Sequence, residues 1–115
     1  MEEEAVLIKK GNEKRRVEKH GKLYRMMIKS NKMEVIISEL DPKTDSKWFR
    51  HDGEEMHFVL QGSMEYTVGE KSYRLGEGDI LWHKSTLNHR GKNIGRKKVI
   101  YITIGTPPTF MLSDL

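Results

Sequence analysis

Apolar residues recur along this chain in short runs with a period of two, broken every few residues by glycine. No segment sustains a 3.6-residue apolar period. β-branched and aromatic positions crowd into these runs. They predict strands at Leu23–Ile28, Met33–Leu40, Met56–Leu60, Met64–Val68, Lys71–Leu75, Ile80–His83 and Val99–Ile104, with a further short one at Val6–Ile8. Turns are expected at Gly53, Gly62, Gly69, Gly76, Gly78, Gly91 and Gly95, and a polar loop at 41–46. Short strands at this spacing imply an all-β, single-domain antiparallel β-barrel or sandwich. The segment Thr106-Pro107-Pro108-Thr109-Phe110 cannot sit in mid-sheet, because two successive residues lack an N–H.

A length of 115 residues fits one domain with a modest core. The expected division is N-terminal strands and an arm for dimer exchange over 1–32, the barrel over 33–110 and a tail over 111–115. There is no cysteine, which excludes disulfides and thiolate metal sites. No apolar run reaches membrane-spanning length, and the start Met1-Glu2-Glu3-Glu4 is acidic where a secretory leader would be basic; a cytoplasmic protein that binds no membrane is expected. The formal charge of +4 is spread over a chain that is 33% charged, which reads as a solvated surface. The basic triplet Lys14-Arg15-Arg16 fits an exposed sheet edge better than a phosphate contact. With no DNA-reading module visible, direct nucleic-acid binding is not expected.

The stretch that changes this picture is His51-Asp-Gly-Glu-Glu-Met-His-Phe-Val-Leu-Gln-Gly62. On an unbroken strand His51 and Glu55 would share a face but stand about 13 Å apart at roughly 3.3 Å per residue. The Asp52-Gly53 pair signals a turn that would bring them together, His51 ending one strand and Glu55 opening the next. His57, two residues beyond Glu55, shares its face and is a candidate pocket acid/base or further ligand. Met56, Phe58 and Leu60 take the opposite face, as core or dimer packing. A second stretch, Gly78-Asp79-Ile80-Leu81-Trp82-His83, feeds a polar loop and His89, with Asn93 four residues on. His51, Glu55 and His89 then make a two-histidine, one-carboxylate set that suits Zn, Fe, Mn, Ni or Cu and leaves coordination positions open.

These residues resemble the cupin family. His51, Glu55 and Gly62 match the second histidine, glutamate and closing glycine of its first motif, and Gly78, His89 and Asn93 match its second, with the spacing intact. The first motif histidine is replaced by Phe49, the opening glycine by Lys43, and the proline and inner glycine of the second motif by Lys84 and Thr86. The resemblance implies a jelly-roll, double-stranded β-helix barrel with His51, Glu55 and His89 as metal ligands. The expected pocket contains Phe49, His57, Tyr66, Trp82 and Asn93. Trp82 and His83 lie on opposite faces of one strand, and Asn93 also fits a turn cap. Tyr66, Tyr73 and Tyr101 can each bring a hydroxyl to the cavity.

The chain is similar to sensory cupin domains fused behind a helix-turn-helix in transcriptional regulators, here without that module. A small-molecule or metal-binding sensory module, acting as a homodimer, is therefore the leading expectation. The alternatives are a metal-dependent dioxygenase, isomerase or lyase, and a docking partner of a separate DNA-binding protein.

Overall fold

The computed structural model describes residues 4–109 and contains nine strands and no helix among them. In chain order these are β1 (Arg15–Lys19), β2 (Lys22–Lys29), β3 (Glu34–Leu40), β4 (Glu54–Gln61), β5 (Met64–Val68), β6 (Lys71–Leu75), β7 (Ile80–Lys84), β8 (His89–Lys92) and β9 (Val99–Thr106). They build a six-stranded sheet, ordered β1-β2-β3-β9-β4-β7, and a three-stranded sheet, ordered β6-β5-β8, with every pair antiparallel. The two sheets do not join into one continuous ladder. The arrangement is a jelly-roll, with seams bridged at Asp45–Lys92 and Phe49–His89.

Alternation decides what faces inward. On β3, Glu34, Ile36, Ser38 and Leu40 are buried; on β4, Glu55, His57 and Val59; on β9, Val99, Tyr101, Thr103 and Gly105. Leu40, Val59, Val99 and Met64 are fully buried, and with Tyr24, Tyr66, Val68 and Leu75 they form a core spanning both sheets. Polar residues occupy the other end of the same interior, so one layer holds both the core and the site. At Gly62 the chain leaves the large sheet for the small one with φ of 81°, and a side chain there would meet the Lys98 carbonyl oxygen at 2.7 Å.

The outer face of the six-stranded sheet is also apolar. The register aligns one row across the sheet from Ile28 through Val35, Ile104 and Met56 to Trp82, and another through Ile37, Ile102 and Phe58 to Ile80. Ile80 and Trp82, on the edge strand, are each more than half exposed.

Two strands escape the apolar pattern. β1 is Arg-Arg-Val-Glu-Lys, an exposed edge with one apolar residue, and it carries the basic triplet's arginines. β8 is His-Arg-Gly-Lys; it faces inward with His89 and Gly91, and Gly91 leaves room for Met64 and the Tyr66 ring. Conversely, Val6–Ile8 forms no strand: Val6 and Leu7 are exposed and pair with no neighbour in a sheet. The segment before β4 likewise forms isolated bridges along β8 where a full strand ending at His51 was expected. β9 stops at Thr106, before the two prolines. Phe110 and the tail 111–115 lie outside the described residues.

Candidate metal centre

Glu55 lies at the centre, buried on β4 and held against β7 and β9 by the ladder. Four imidazoles surround its carboxylate. His89 Nε2 is 2.7 Å from Oε1, His83 Nε2 3.2 Å and His57 Nε2 3.7 Å, while His51 Nε2 is 3.7 Å from Oε2. The bend at Asp52-Gly53 closes the 51–55 distance as expected. Gly53 adopts φ of 99°, and a β-carbon there would run into the Thr106 carbonyl and stand 2.6 Å from Pro107 Cδ. The turn that aims His51 therefore requires both the left-handed backbone and the missing side chain.

The second nitrogen of each ring defines the proton arrangement. His89 Nδ1 lies 2.7 Å from the Leu87 carbonyl, His83 Nδ1 2.9 Å from that of Lys84, and His51 Nδ1 3.1 Å from that of Asp52. Carbonyl oxygens only accept, so Nδ1 of His89 and of His83 carries a proton and donates it; His51 Nδ1 also lies 3.0 Å from the Thr109 hydroxyl, which can donate or accept. Nε2 of each ring then faces Glu55, as a lone pair in the neutral ring and as a donor in the protonated one. His57 differs. Its Nδ1 meets the Thr103 hydroxyl at 2.8 Å and its Nε2 meets His83 Nε2 at 2.9 Å. With a lone pair on His83, His57 Nε2 is the donor of that pair.

Burial alone would raise the carboxyl of Glu55. Hydrogen bonds from His83 and His89, and the positive potential of His57 and His89, outweigh it and hold Glu55 well below its ordinary value. Burial pushes His57 down to about 3, against the opposing pull of Glu55, so this ring is neutral at physiological pH. The role of near-neutral acid/base expected of His57 does not fit that environment, and both of its nitrogens are already engaged.

Tyr66 reaches in from β5 and stacks on His57 with ring centroids 4.1 Å apart, also lying alongside His83 and His89. A cavity of about 40 Å³ adjoins the cluster, lined by His51, Glu55, His57, His89, Phe49 and Tyr66 together with Tyr24, Ser38, Tyr101 and Thr103. That is room for a few waters or a very small ligand. The Tyr24 hydroxyl is buried with no hydrogen-bond partner among the described residues, and burial raises its pKa to about 12. Burial also raises Tyr66 and Tyr101 well above the ordinary phenol value, so all three hydroxyls stay protonated.

Of the residues singled out in the sequence, His51, Glu55, His57, His89, Phe49 and Tyr66 meet at this cavity. Trp82 does not: it faces outward, half exposed, and its Nε1 donates to Glu54 Oε1 at 3.0 Å. Asn93 does not line the pocket either. Its amide donates to the Leu40 and Lys97 carbonyls and its oxygen accepts from Gly95 N, which ties the β8–β9 turn to β3. Tyr73 lies exposed on edge strand β6. His83 is the residue the sequence left undecided. Its inward parity follows only from its pairing with Glu55 across β4 and β7. Tyr24, Ser38 and Thr103 were also missed, because each sits singly within an apolar run.

The donor set passes the chemical test for a metal. Three inward Nε2 atoms and one carboxylate in a buried space need positive charge among them, as shared protons or as a cation. His51, Glu55 and His89, and separately Glu55, His57 and His83, each bring their ligand atoms within 4.8 Å of one another. Imidazole nitrogen with one carboxylate oxygen suits the late first-row divalent ions.

A two-sheet antiparallel jelly-roll with a histidine–carboxylate cluster between the sheets defines the structural class. The sequence profile of the cupin domain matches residues 36–105, and the chain belongs to the cupin family. An uncharacterized protein of Archaeoglobus fulgidus is 38% identical over 64 residues, 56% of this chain and 60% of that protein, so the match spans less than two thirds of the relative. Among solved structures, an RmlC-like cupin from Shewanella frigidimarina superposes with a TM-score of 0.77 at 13% identity, covering 96% of this chain and 97% of the other. A double-stranded β-helix protein from Klebsiella pneumoniae gives a TM-score of 0.74 at 22% identity, covering 82% and 84%. At these identities the likeness concerns the fold.

Proposed function

We propose that this protein is a metal-dependent binding module: His51, Glu55 and His89 hold a divalent transition ion, and the ion with its cavity receives a small ligand. The observation that carries the reading is the orientation of the rings: Nδ1 of His51 and of His89 meets a backbone carbonyl, and Nε2 of each turns toward the one buried carboxylate. Such carbonyl partners are the usual means of orienting metal-ligating histidines. A bound cation would also offset the cost of burying Glu55. When present, the ion would act as a Lewis acid toward an anionic or carboxylate ligand. Phe49, at the place of the motif's first histidine, leaves one coordination position without a protein ligand on that side. The small cavity and the phenolic hydroxyls of Tyr24 and Tyr101 fit a ligand of few atoms with oxygen acceptors.

A sensory role is favoured over a metal-dependent dioxygenase, isomerase or lyase because neither His57 nor the tyrosines are suited to act as the acid/base. His57 is neutral and engaged at both nitrogens, and the tyrosines are held protonated. Elemental analysis of purified protein with its Glu55→Gln variant tests the reading. Metal should accompany the first and not the second; equal content in both would sink it.

We also propose a homodimer. Its support is the two apolar rows on the outer face of the six-stranded sheet and the edge-strand pair Ile80 and Trp82, which a second copy would cover. The arm exchange proposed for 1–32 has Val6 and Leu7 exposed and available for it. A separately encoded DNA-binding protein docking on the same rows is the competing occupant. Light scattering decides: about twice 13.5 kDa supports the dimer, and 13.5 kDa opposes it.

A further inference from the structure

The cluster contains more imidazole than one ion at His51, Glu55 and His89 would use. His57 and His83 are also buried, on β4 and β7, where the register pairs Glu55 with His83. Their Nε2 atoms are 2.9 Å apart and 3.7 and 3.2 Å from Glu55 Oε1. Two nitrogens at this separation either share a proton or share an ion. Bonds of about 2.0–2.1 Å meeting near a right angle place two ligand nitrogens about 2.9 Å apart.

The partners of the two rings allow the second arrangement. The Lys84 carbonyl fixes the proton of His83 on Nδ1 and leaves Nε2 open. The partner of His57 Nδ1 is the Thr103 hydroxyl, which can donate or accept. If Thr103 accepts, His57 carries its proton on Nδ1, and its Nε2 becomes a ligand without any movement of the ring. Tyr66, stacked on His57 and alongside His83, closes the space on the small-sheet side.

We infer that His57, His83 and Glu55 form a second, inner ion position, able to hold an imidazole-preferring divalent ion such as Zn, Co, Ni or Cu without His51 or His89. It shares Glu55 with the outer position of the proposed function but none of its histidines. Where Phe49 removes a nitrogen from the outer rim, β4 and β7 supply two from within. The single carboxylate serves whichever position is filled, so the inner one keeps its full ligand set when the outer one is damaged.

The test uses the full chain and Co(II) alone, followed by equilibrium dialysis with elemental analysis and visible absorption, in wild type, His51→Ala, His83→Gln and the double variant. Circular dichroism establishes that each is folded. The inference expects His51→Ala to retain one cobalt per chain with a visible spectrum, and the double variant to bind at least about a hundredfold more weakly. Loss of cobalt from His51→Ala while wild type binds it would overturn the inner position and leave the outer one standing. Retention by the double variant would also overturn it. Binding by His51→Ala but not by His83→Gln would support the inner position and sink the outer one. A wild type that takes up no cobalt would overturn both.

Discussion

Replacing Glu55 with glutamine separates the cost of an empty site from the gain of a filled one. The change keeps the side chain's shape and removes its charge. In the metal-free protein the carboxylate faces Nε2 of His89 at 2.7 Å and of His83 at 3.2 Å, and their hydrogen bonds hold it ionised. Glutamine keeps the shape and loses this charge-assisted pairing. The apo variant should therefore melt below apo wild type. The metal-loaded comparison adds a second loss. Four-ligand zinc sites contribute about 10–16 kcal/mol, so one ligand accounts for roughly 3–4 kcal/mol and its loss weakens binding about 10²–10³-fold. At an ion concentration 100 times the wild-type Kd, binding adds about 2.7 kcal/mol, equivalent to a Tm rise on the order of 10 °C in a domain this size. The assay is thermal unfolding of both proteins with and without Zn(II) after chelator dialysis. Wild type should show the rise and Glu55→Gln almost none. A variant that retains the full metal-induced shift, or an apo variant no less stable than apo wild type, would refute the reasoning.

Other consequences follow from the same geometry. Gly53→Ala should destabilise the protein by at least about 2 kcal/mol in urea unfolding, since the left-handed backbone alone costs an alanine roughly 1–2 kcal/mol and the added carbon collides with the Thr106–Pro107 turn. Trp82→Asp should shift the light-scattering mass from dimer to monomer and leave metal content unchanged, because Trp82 faces away from the site. Apo stability should fall as pH drops. His57 is held near 3 in the folded chain and returns to about 6.5 when unfolded, so the unfolded state binds the extra proton between those values. The loss should approach about 1.4 kcal/mol per pH unit across that window for this group, with Glu55, also depressed, adding to it at the acid end. Chemical denaturation between pH 7 and 4 measures it, and a flat profile would count against a neutral buried His57.

Seven of the nine strands were legible in the pattern of apolar residues: β2, β3, β4, β5 and β9 each have one face in a core that demands large side chains, while β6 and β7 bury one residue apiece and were marked by their bounding turns. β1 and β8 were not, for opposite reasons. β1 packs neither face, and β8 spends its inward positions on a ligand histidine and a glycine that admits Met64. The motif spacing brought out His51, Glu55 and His89 because a turn of two residues and a strand of fixed rise leave little freedom. Parity within β7 was not legible: Leu81 and His83 against Ile80 and Trp82 gives no clear apolar face, and only pairing with Glu55 decides it. Trp82 looked like pocket material for its size, whereas its face of the sheet is the outer apolar one. Asn93 matched a motif position, yet its two side-chain polar atoms are consumed by three backbone groups, those of Gly95 and Lys97 in its own turn and of Leu40 at the end of β3.

The most direct measurement is the metal content of the protein purified without chelator, followed by titration with Zn(II) or Co(II) after stripping. A bound divalent transition metal approaching one ion per chain, recovered on titration and lost in Glu55→Gln, is the predicted result. A wild-type chain that is folded, carries no metal and takes none up at millimolar concentration would contradict the account.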